Sequence, residues 1–415
     1  MSDWVESPLA QVASFQKGRK VETSPFDGDG FAPYLGASGL EGGDDGFAAT
    51  PLAVIAKNTD TLMLWDGERS GLVGFGRQGV VASTVSKLSP SDKIEPKYLY
   101  YALSEQFDWI QHRRTGTGVP HVPKDLGRLL KLRYPERRAV QQRIATILTA
   151  IDTAIEKTEA LIAKYQQIKA GLMHDLFTRG VLPNGQLRPP REQAPELYQE
   201  TAIGWIPRGW ECFRLSKVAD LFVGFAFKSE CFEQEGVSLL RGENVGYGKP
   251  DWSDRQCLNP RDSGVFAAYL LHPGDIVIGM DRTFTKSGVK ISRVSAGDCP
   301  ALLVQRVGKF VAISCKPEYL RWLVLSADYL RRLAIQQKGM DIPHLSQSEI
   351  LEPWVPVPHP DEQLFIAEKI QAHFNLLEKC TFDLQKLRQL KLGLMHDLLT
   401  GKVPVKVEEP EAVDG

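Results

Sequence analysis

The feature that most constrains this chain is that it contains one segment twice. Residues 141–181 align without a gap on 363–403, and 17 of the 41 paired positions are identical, including the unbroken run Gly171-Leu172-Met173-His174-Asp175-Leu176 over Gly393-Leu394-Met395-His396-Asp397-Leu398. Chance would supply roughly two or three identities, so this is an internal repeat. Two copies of one unit make a pseudo-dyadic molecule, a natural design for recognising a target in two parts.

The repeated segment is helical by its spacing. Apolar side chains at Val140, Ile144, Ile147, Leu148, Ile151, Ile155, Leu161, Ile162, Tyr165, Ile168, Leu172 and Leu176 recur largely at steps of three and four, which places them on one stripe. The second copy repeats the stripe with Ile366, Ile370, Phe374, Leu377, Leu384, Leu387, Leu390, Leu394 and Leu398. About 38 residues make a rod of about 57 Å, too long to bury its stripe on a small domain alone. The expected arrangement packs the two rods together as an antiparallel coiled coil. The plain alternative is that each helix packs on its own domain.

The duplication extends upstream. Gly116-Thr117-Gly118-Val119-Pro120-His121-Val122 matches Gly339-Met340-Asp341-Ile342-Pro343-His344-Leu345, Pro96-Lys97-Tyr98-Leu99 matches Pro317-Glu318-Tyr319-Leu320, and Trp4, Leu9, Val12, Ala13 and Gly18 match Trp210, Leu215, Val218, Ala219 and Gly224. The offset drifts from 206 to 223, so frame positions agree while the loops between them differ. Stretches such as 61–65, 79–85, 275–279 and 301–307 are rich in β-branched residues and glycine and read as short strands; a helix is expected over 98–110 and again over 319–334. The fold class is therefore α/β (α+β), with two pseudo-symmetric globular domains and two long helices. The expected boundaries are a first domain over 1–138, a long helix over 139–179, a Pro-rich linker over 180–200, a second domain over 201–360, a second long helix over 361–400 and an acidic tail over 401–415.

Composition excludes more than it identifies. No apolar run approaches the roughly 18 residues of a membrane span, and the polar start lacks a signal-peptide core, so the expectation is a cytoplasmic protein with no membrane partner. The six cysteines all lie in the second half without metal-ligand spacing, so neither a metal site nor a disulfide framework is indicated. A net charge of −1 gives no global sign of nucleic acid, and any DNA-binding surface has to be local. Gly74-Phe75-Gly76-Arg77-Gln78-Gly79 matches GxGxxG, yet a strand-like run follows where a dinucleotide loop would open a helix. The acidic-or-Asn, Pro-Pro, aromatic string of an amino-methyltransferase is missing; Asn259-Pro260-Arg261-Asp262 comes nearest. No catalytic residues and no bound cofactor are expected.

The succession of variable domain, GLMHDL-terminated helix, second variable domain opening with Ile203-Gly204-Trp205-Ile206-Pro207-Arg208-Gly209-Trp210, and second such helix starting at Asp361-Glu362-Gln363-Leu364-Phe365-Ile366-Ala367 resembles the DNA-specificity subunit of type I restriction-modification enzymes. The resemblance covers nearly the whole chain, although the first half lacks the IGxIPxG opening and has Val140-Gln141-Gln142-Arg143 where the helix usually starts with an acidic residue. It implies that each globular domain is a target-recognition domain reading one half of a split site on double-stranded DNA. It further implies that the helices set the spacing and dock two modification subunits, adenine methyltransferases that carry S-adenosylmethionine, with restriction subunits joining them. A self-contained DNA-modifying enzyme and a coiled-coil adaptor that does not bind DNA are the competing readings.

Base reading requires Arg, Lys, Asn, Gln or Ser on exposed loops, because Arg pairs bidentately with guanine and Asn or Gln with adenine. The candidates are Ser38, Arg69, Arg77 and Gln78 in the first domain and Arg241, Asn244, Arg282, Thr283 and Lys286 in the second. Arg113 and Arg114 open a basic stretch, 111–143, that carries nine Lys or Arg against Asp125 and Glu136. Such density suits phosphate contact, and equally suits a solvated face. His174, Asp175, His396 and Asp397 recur at the two helix ends, which points to helix C-terminal chemistry and subunit docking rather than catalysis. His121 and His344 each follow a proline, as residues of a frame turn would.

Overall fold

The computed structural model describes residues 4–116, 118–336 and 344–407. Thr117, the stretch 339–343 of the second repeated turn, the first three residues and the acidic end of the tail, 408–415, lie outside them. The chain forms two compact units, one of residues 1–161 and 380–415, the other of residues 162–379. Among the described residues no helix is long and apolar enough to cross a membrane.

The first unit is built on an antiparallel sheet in the order Ala13–Lys17, Val85–Pro90, Thr61–Leu64, Val73–Phe75. In the second unit Ala219–Val223, Val307–Ala312, Ile276–Gly279 and Ile291–Arg293 take the same order, and Tyr247–Gly248 adds an outer strand in parallel. Beside this sheet each unit has a second one that contains a parallel pairing, Phe31–Leu35 with Gly79–Val81 and Val237–Leu240 with Ala301–Leu303. The glycines matched in the sequence have a common cause: a Cβ on Gly18 would fall 2.1 Å from the Ala82 carbonyl oxygen, and one on Gly224 would fall 2.3 Å from that of Val304. Both glycines let the first sheet strand leave against a neighbouring backbone.

The long helices run Arg138–Thr178 and Pro360–Leu399. In the first unit the start of one lies antiparallel to the end of the other, with Asp152 on Lys391 and Glu159 on Arg388, both at 2.6 Å. Val140, Ile144 and Leu148 share a core with Tyr98, Leu99, Met395 and Leu398. The second unit also has an antiparallel pair. His373 Nε2 lies 2.8 Å from the Tyr165 carbonyl, while Leu176 and Phe177 join Ile366, Ile370 and Tyr319 in its core. The stripes therefore serve both purposes weighed from the sequence: each segment covers its partner helix and a globular core.

A buried glutamine locks each helix start to its domain. Gln141 accepts the Glu95 amide at 2.7 Å and donates to the carbonyls of Lys93 and Pro135; Gln363 accepts the Lys316 amide at 2.7 Å and donates to that of Pro358. The helices expected over 98–110 and 319–334 are each broken in two, Pro96–Glu105 with Phe107–Gln111 and Pro317–Leu323 with Ala327–Gln336. Gln106 leaves helical geometry at ψ 5°, and the Ser326 hydroxyl accepts the Tyr329 amide to start a new helix.

The Pro-rich segment is a strap rather than a free tether. Glu362 holds it: its carboxylate takes both guanidinium nitrogens of Arg188, the Val181 amide at 2.8 Å and the Trp210 indole at 2.9 Å.

Candidate nucleic-acid interface

In each half a central sheet strand runs into an aspartate that turns the chain. After Thr61–Leu64, the Trp65 amide donates to the Thr84 carbonyl at 2.7 Å and the Trp65 carbonyl accepts Val122 at 2.9 Å. After Ile276–Gly279, Met280 makes the same two bonds with Arg306 and Leu345, each at 2.9 Å. The following aspartates meet the repeated histidines, Asp66 with His121 Nδ1 at 2.8 Å and Asp281 with His344 Nδ1 at 2.6 Å. A cation closes each cluster, Lys17 on Asp66 at 2.8 Å and Arg306 on Asp281 at 2.7 Å. Partial burial pushes the Asp281 carboxyl up, but hydrogen bonds from Arg306 and His344 outweigh it and hold it below the usual carboxylate range.

The histidines are legible in the sequence as turn residues, whereas the aspartates align only at an offset of 215, outside the blocks that reveal the repeat. The signal that would have found them is a lone Asp directly after an apolar strand in both halves.

The residue after each aspartate has left-handed backbone: Gly67 at φ 114° and Arg282 at φ 49°. At one position of a shared frame, the first half has a glycine and the second an exposed arginine.

Around the first turn the structure brings most candidates onto one surface. Arg114 donates to the Glu68 carbonyl at 2.6 Å, Arg69 pairs with Glu41 at 2.7 Å, and Arg77 lies over Gly42, where a Cβ would meet its guanidinium at 2.6 Å. Ser38 is exposed, but on the short helix Ala37–Leu40 rather than on a loop, and its carbonyl accepts the amides of Glu41 and Gly43; Gln78 is exposed beside Arg77 in the turn between Val73–Phe75 and Gly79–Val81. The GxGxxG match is thus strand, turn and strand. Arg113 stacks on Trp109, its guanidinium 4.0 Å from the ring centre. Elsewhere in the basic stretch Arg128 pairs with Asp125, Arg138 donates to the Asp92 carbonyl and Arg133 covers Trp4.

The second half corrects three expectations. Asn244 is 1% exposed: its amide oxygen accepts the Arg241 amide and Nε, and its nitrogen donates to the carbonyls of Asp251 and Asp254. Thr283 is also 1% exposed and donates to the Gly279 carbonyl at 2.6 Å. Arg241 is held between Glu243 at 2.6 Å and Asp254 at 2.9 Å. These polar groups build loops instead of facing solvent, because a buried loop backbone must find partners close by. Arg282 and Lys286 remain exposed, the latter at the two-residue tip joining Phe284–Thr285 to Gly288–Val289, which Tyr247 braces with a 2.5 Å hydrogen bond to Thr285.

The type I restriction modification DNA specificity domain matches residues 1–167 and again 207–385. The chain belongs to the type I restriction-modification DNA-specificity family. It is 31% identical over 413 residues to the type I restriction enzyme MjaVIII specificity subunit of Methanocaldococcus jannaschii, covering 97% of this chain and 94% of that one. With the EcoAI specificity subunit of Escherichia coli it shares 28% identity over 350 residues, 83% of this chain and 55% of that one. Its fold is that of a type I restriction-modification S subunit from M. genitalium, at a TM-score of 0.64 and 17% identity over 98% and 97% of the two chains. As a specificity subunit, it is a non-catalytic component of a restriction-modification enzyme.

In this specificity subunit the two helix ends are built alike. Each helix stops one residue short of a left-handed glycine, Gly180 at φ 62° and Gly401 at φ 76°, the usual way to end a helix. His174 and His396 are exposed, and their carbonyls accept the hydroxyls of Thr178 and Thr400. Asp175 pairs with Arg179 at 3.3 Å and Asp397 with Lys402 at 3.5 Å. Both carboxylates are thus tied to the chain that follows, and the His396 imidazole also lies 4.0 Å from the Glu105 carboxylate.

Proposed function

We propose that this subunit reads a bipartite site on double-stranded DNA, one half-site per globular half, and docks two adenine methyltransferase subunits that bring S-adenosylmethionine, with restriction subunits joining them. The chain itself supplies recognition and binds no cofactor. Arg282 and Lys286 read or grip the second half-site, while Arg69, Arg77, Gln78, Ser38, Arg113 and Arg114 form the first surface; His174, Asp175, His396 and Asp397 belong to the docking ends. The observation that carries this reading is the Asp-centred turn: one frame, with Gly67 in one half and Arg282 in the other, is what two readers of unlike sequences require.

The test is an exchange. Replacing residues 1–135 with the corresponding domain of a relative, in the presence of the methyltransferase partner, is expected to change one half of the methylation motif and leave the other half and the spacer intact. A simultaneous change in both halves would show that the domains are not independent readers.

A further inference from the structure

The two halves use the same helix positions for opposite electrostatics. In the first unit Lys391 is neutralised by Asp152 at 2.6 Å, and Asp152 also accepts the Tyr101 hydroxyl at 2.7 Å. At the same offset of 222 the second unit has Lys169 and, in place of the aspartate, Phe374. Two further exchanges move the same way. Arg321 occupies the position of Tyr100, and Arg293, opposite Ile276 in the sheet, occupies that of Phe75, opposite Thr61.

The result is a cluster of cations on a pair of rings. Lys169 Nζ lies 5.7 Å from the centre of Trp322 and 5.1 Å from that of Phe374; the Arg293 guanidinium lies 5.5 and 4.4 Å from the same rings. Among the described residues Lys169 and Arg321 make no ion pair, and Arg293 makes only a 3.3 Å hydrogen bond to Gln371. Arg293, Arg321 and Lys249 line a cleft of about 460 Å³ together with Phe374, Glu378 and Asp298. Asp298 is already occupied by the Trp252 indole and by the Ser295 amide and hydroxyl, which leaves Glu378 to face the cations. Desolvation and the neighbouring Arg293 lower the Lys169 ammonium, and desolvation lowers Arg293; Glu378 opposes both shifts without cancelling them. Aromatic faces soften the repulsion of half-buried like charges, but an anion would remove it.

We infer that this cleft takes a phosphate group, supplied by the DNA backbone beside the second half-site or by a free nucleotide. Guanidinium forks match phosphate oxygens in pairs, and within the cleft Arg293, Arg321 and Lys249 outnumber Glu378 and the already bonded Asp298, although Glu318, Glu368 and Asp275 also lie beside Arg321; the excess of cations suits a multiply charged anion. The site exists in one half only, so it is not part of the repeated frame on which two like subunits would dock. Its DNA source rests on the DNA-reading role proposed above; its nucleotide source does not.

The full-length chain and two variants carrying first-half residues, Arg321→Tyr and Phe374→Asp, test it. Calorimetry with pyrophosphate and with ATP, at constant ionic strength in chloride, reads free phosphate; the salt dependence of duplex binding reads the backbone. Saturable pyrophosphate or ATP binding weakened at least tenfold in Arg321→Tyr supports a nucleotide. No such binding, with a slope of log affinity against log salt reduced by about one, supports the backbone. Wild-type binding to neither probe, with unchanged salt slopes in a folded Arg321→Tyr protein, overturns the inference. Failure of the wild-type chain to bind any duplex, with or without its partner, would instead count against the DNA-reading role, and the calorimetric arm would still decide the cleft.

Discussion

Arg282 occupies a backbone position that costs an ordinary L-residue roughly 1–2 kcal/mol, and Gly67 at the matching position avoids that cost. The turn is held in place by Asp281, itself gripped by His344 and Arg306, so the strain is imposed by the frame and the side chain is aimed by it. The proposal that Arg282 contacts DNA gives this strain a use. Arg282→Gly is therefore expected to melt at the same temperature or slightly higher, while affinity for the second half-site falls by roughly 1–3 kcal/mol with relaxed selectivity at one base pair. Thermal melts and gel shifts with the methyltransferase subunit check both parts. A drop in melting temperature with unchanged DNA binding would make the turn a purely structural feature.

At the scale of elements, the second domain is joined to its helices by the strap and the carboxylate that holds it. Arg188 and Glu362 are each about 13% exposed at the side chain, so Glu362→Ala leaves a nearly buried guanidinium without its partner and is expected to cost about 3 kcal/mol. The same variant should open the segment 180–200 to limited proteolysis under conditions in which the wild type is intact; equal cleavage rates would show that other contacts hold the strap. What the sequence could disclose follows from range. Periodicity found both long helices because each stripe is local, and the identities GLMHDL and PxYL located matching frame positions. The partners of Glu362 lie 152 to 181 residues away, and no local pattern shows that a proline-rich stretch will be bound by one distant carboxylate. For the candidate readers the limit was burial: Asn244 and Thr283 have the right chemistry, but their hydrogen bonds to the surrounding loop backbone, visible only in three dimensions, remove them from the surface.

For the whole molecule, each long helix begins in one unit and ends in the other, so its length is a property of the assembly and not of either domain. If the helices fix the spacer of the proposed bipartite site, four residues inserted near Lys157 would lengthen the first by about 6 Å and nearly preserve its apolar stripe, since four residues are close to one turn. The insertion falls between the Asp152–Lys391 and Glu159–Arg388 pairs; the second of these is exposed, so its loss costs little. The expected outcome is a methylation motif with the same bases in both halves and a spacer longer by about one or two base pairs, the rise of duplex DNA being about 3.4 Å per pair. Sequencing of methylated adenines in cells carrying the variant together with its methyltransferase partner reads this directly. An active complex with an unchanged spacer would show that the helices do not set the distance, and would leave them the covering of two cores and the proposed docking of partners at His174, Asp175, His396 and Asp397.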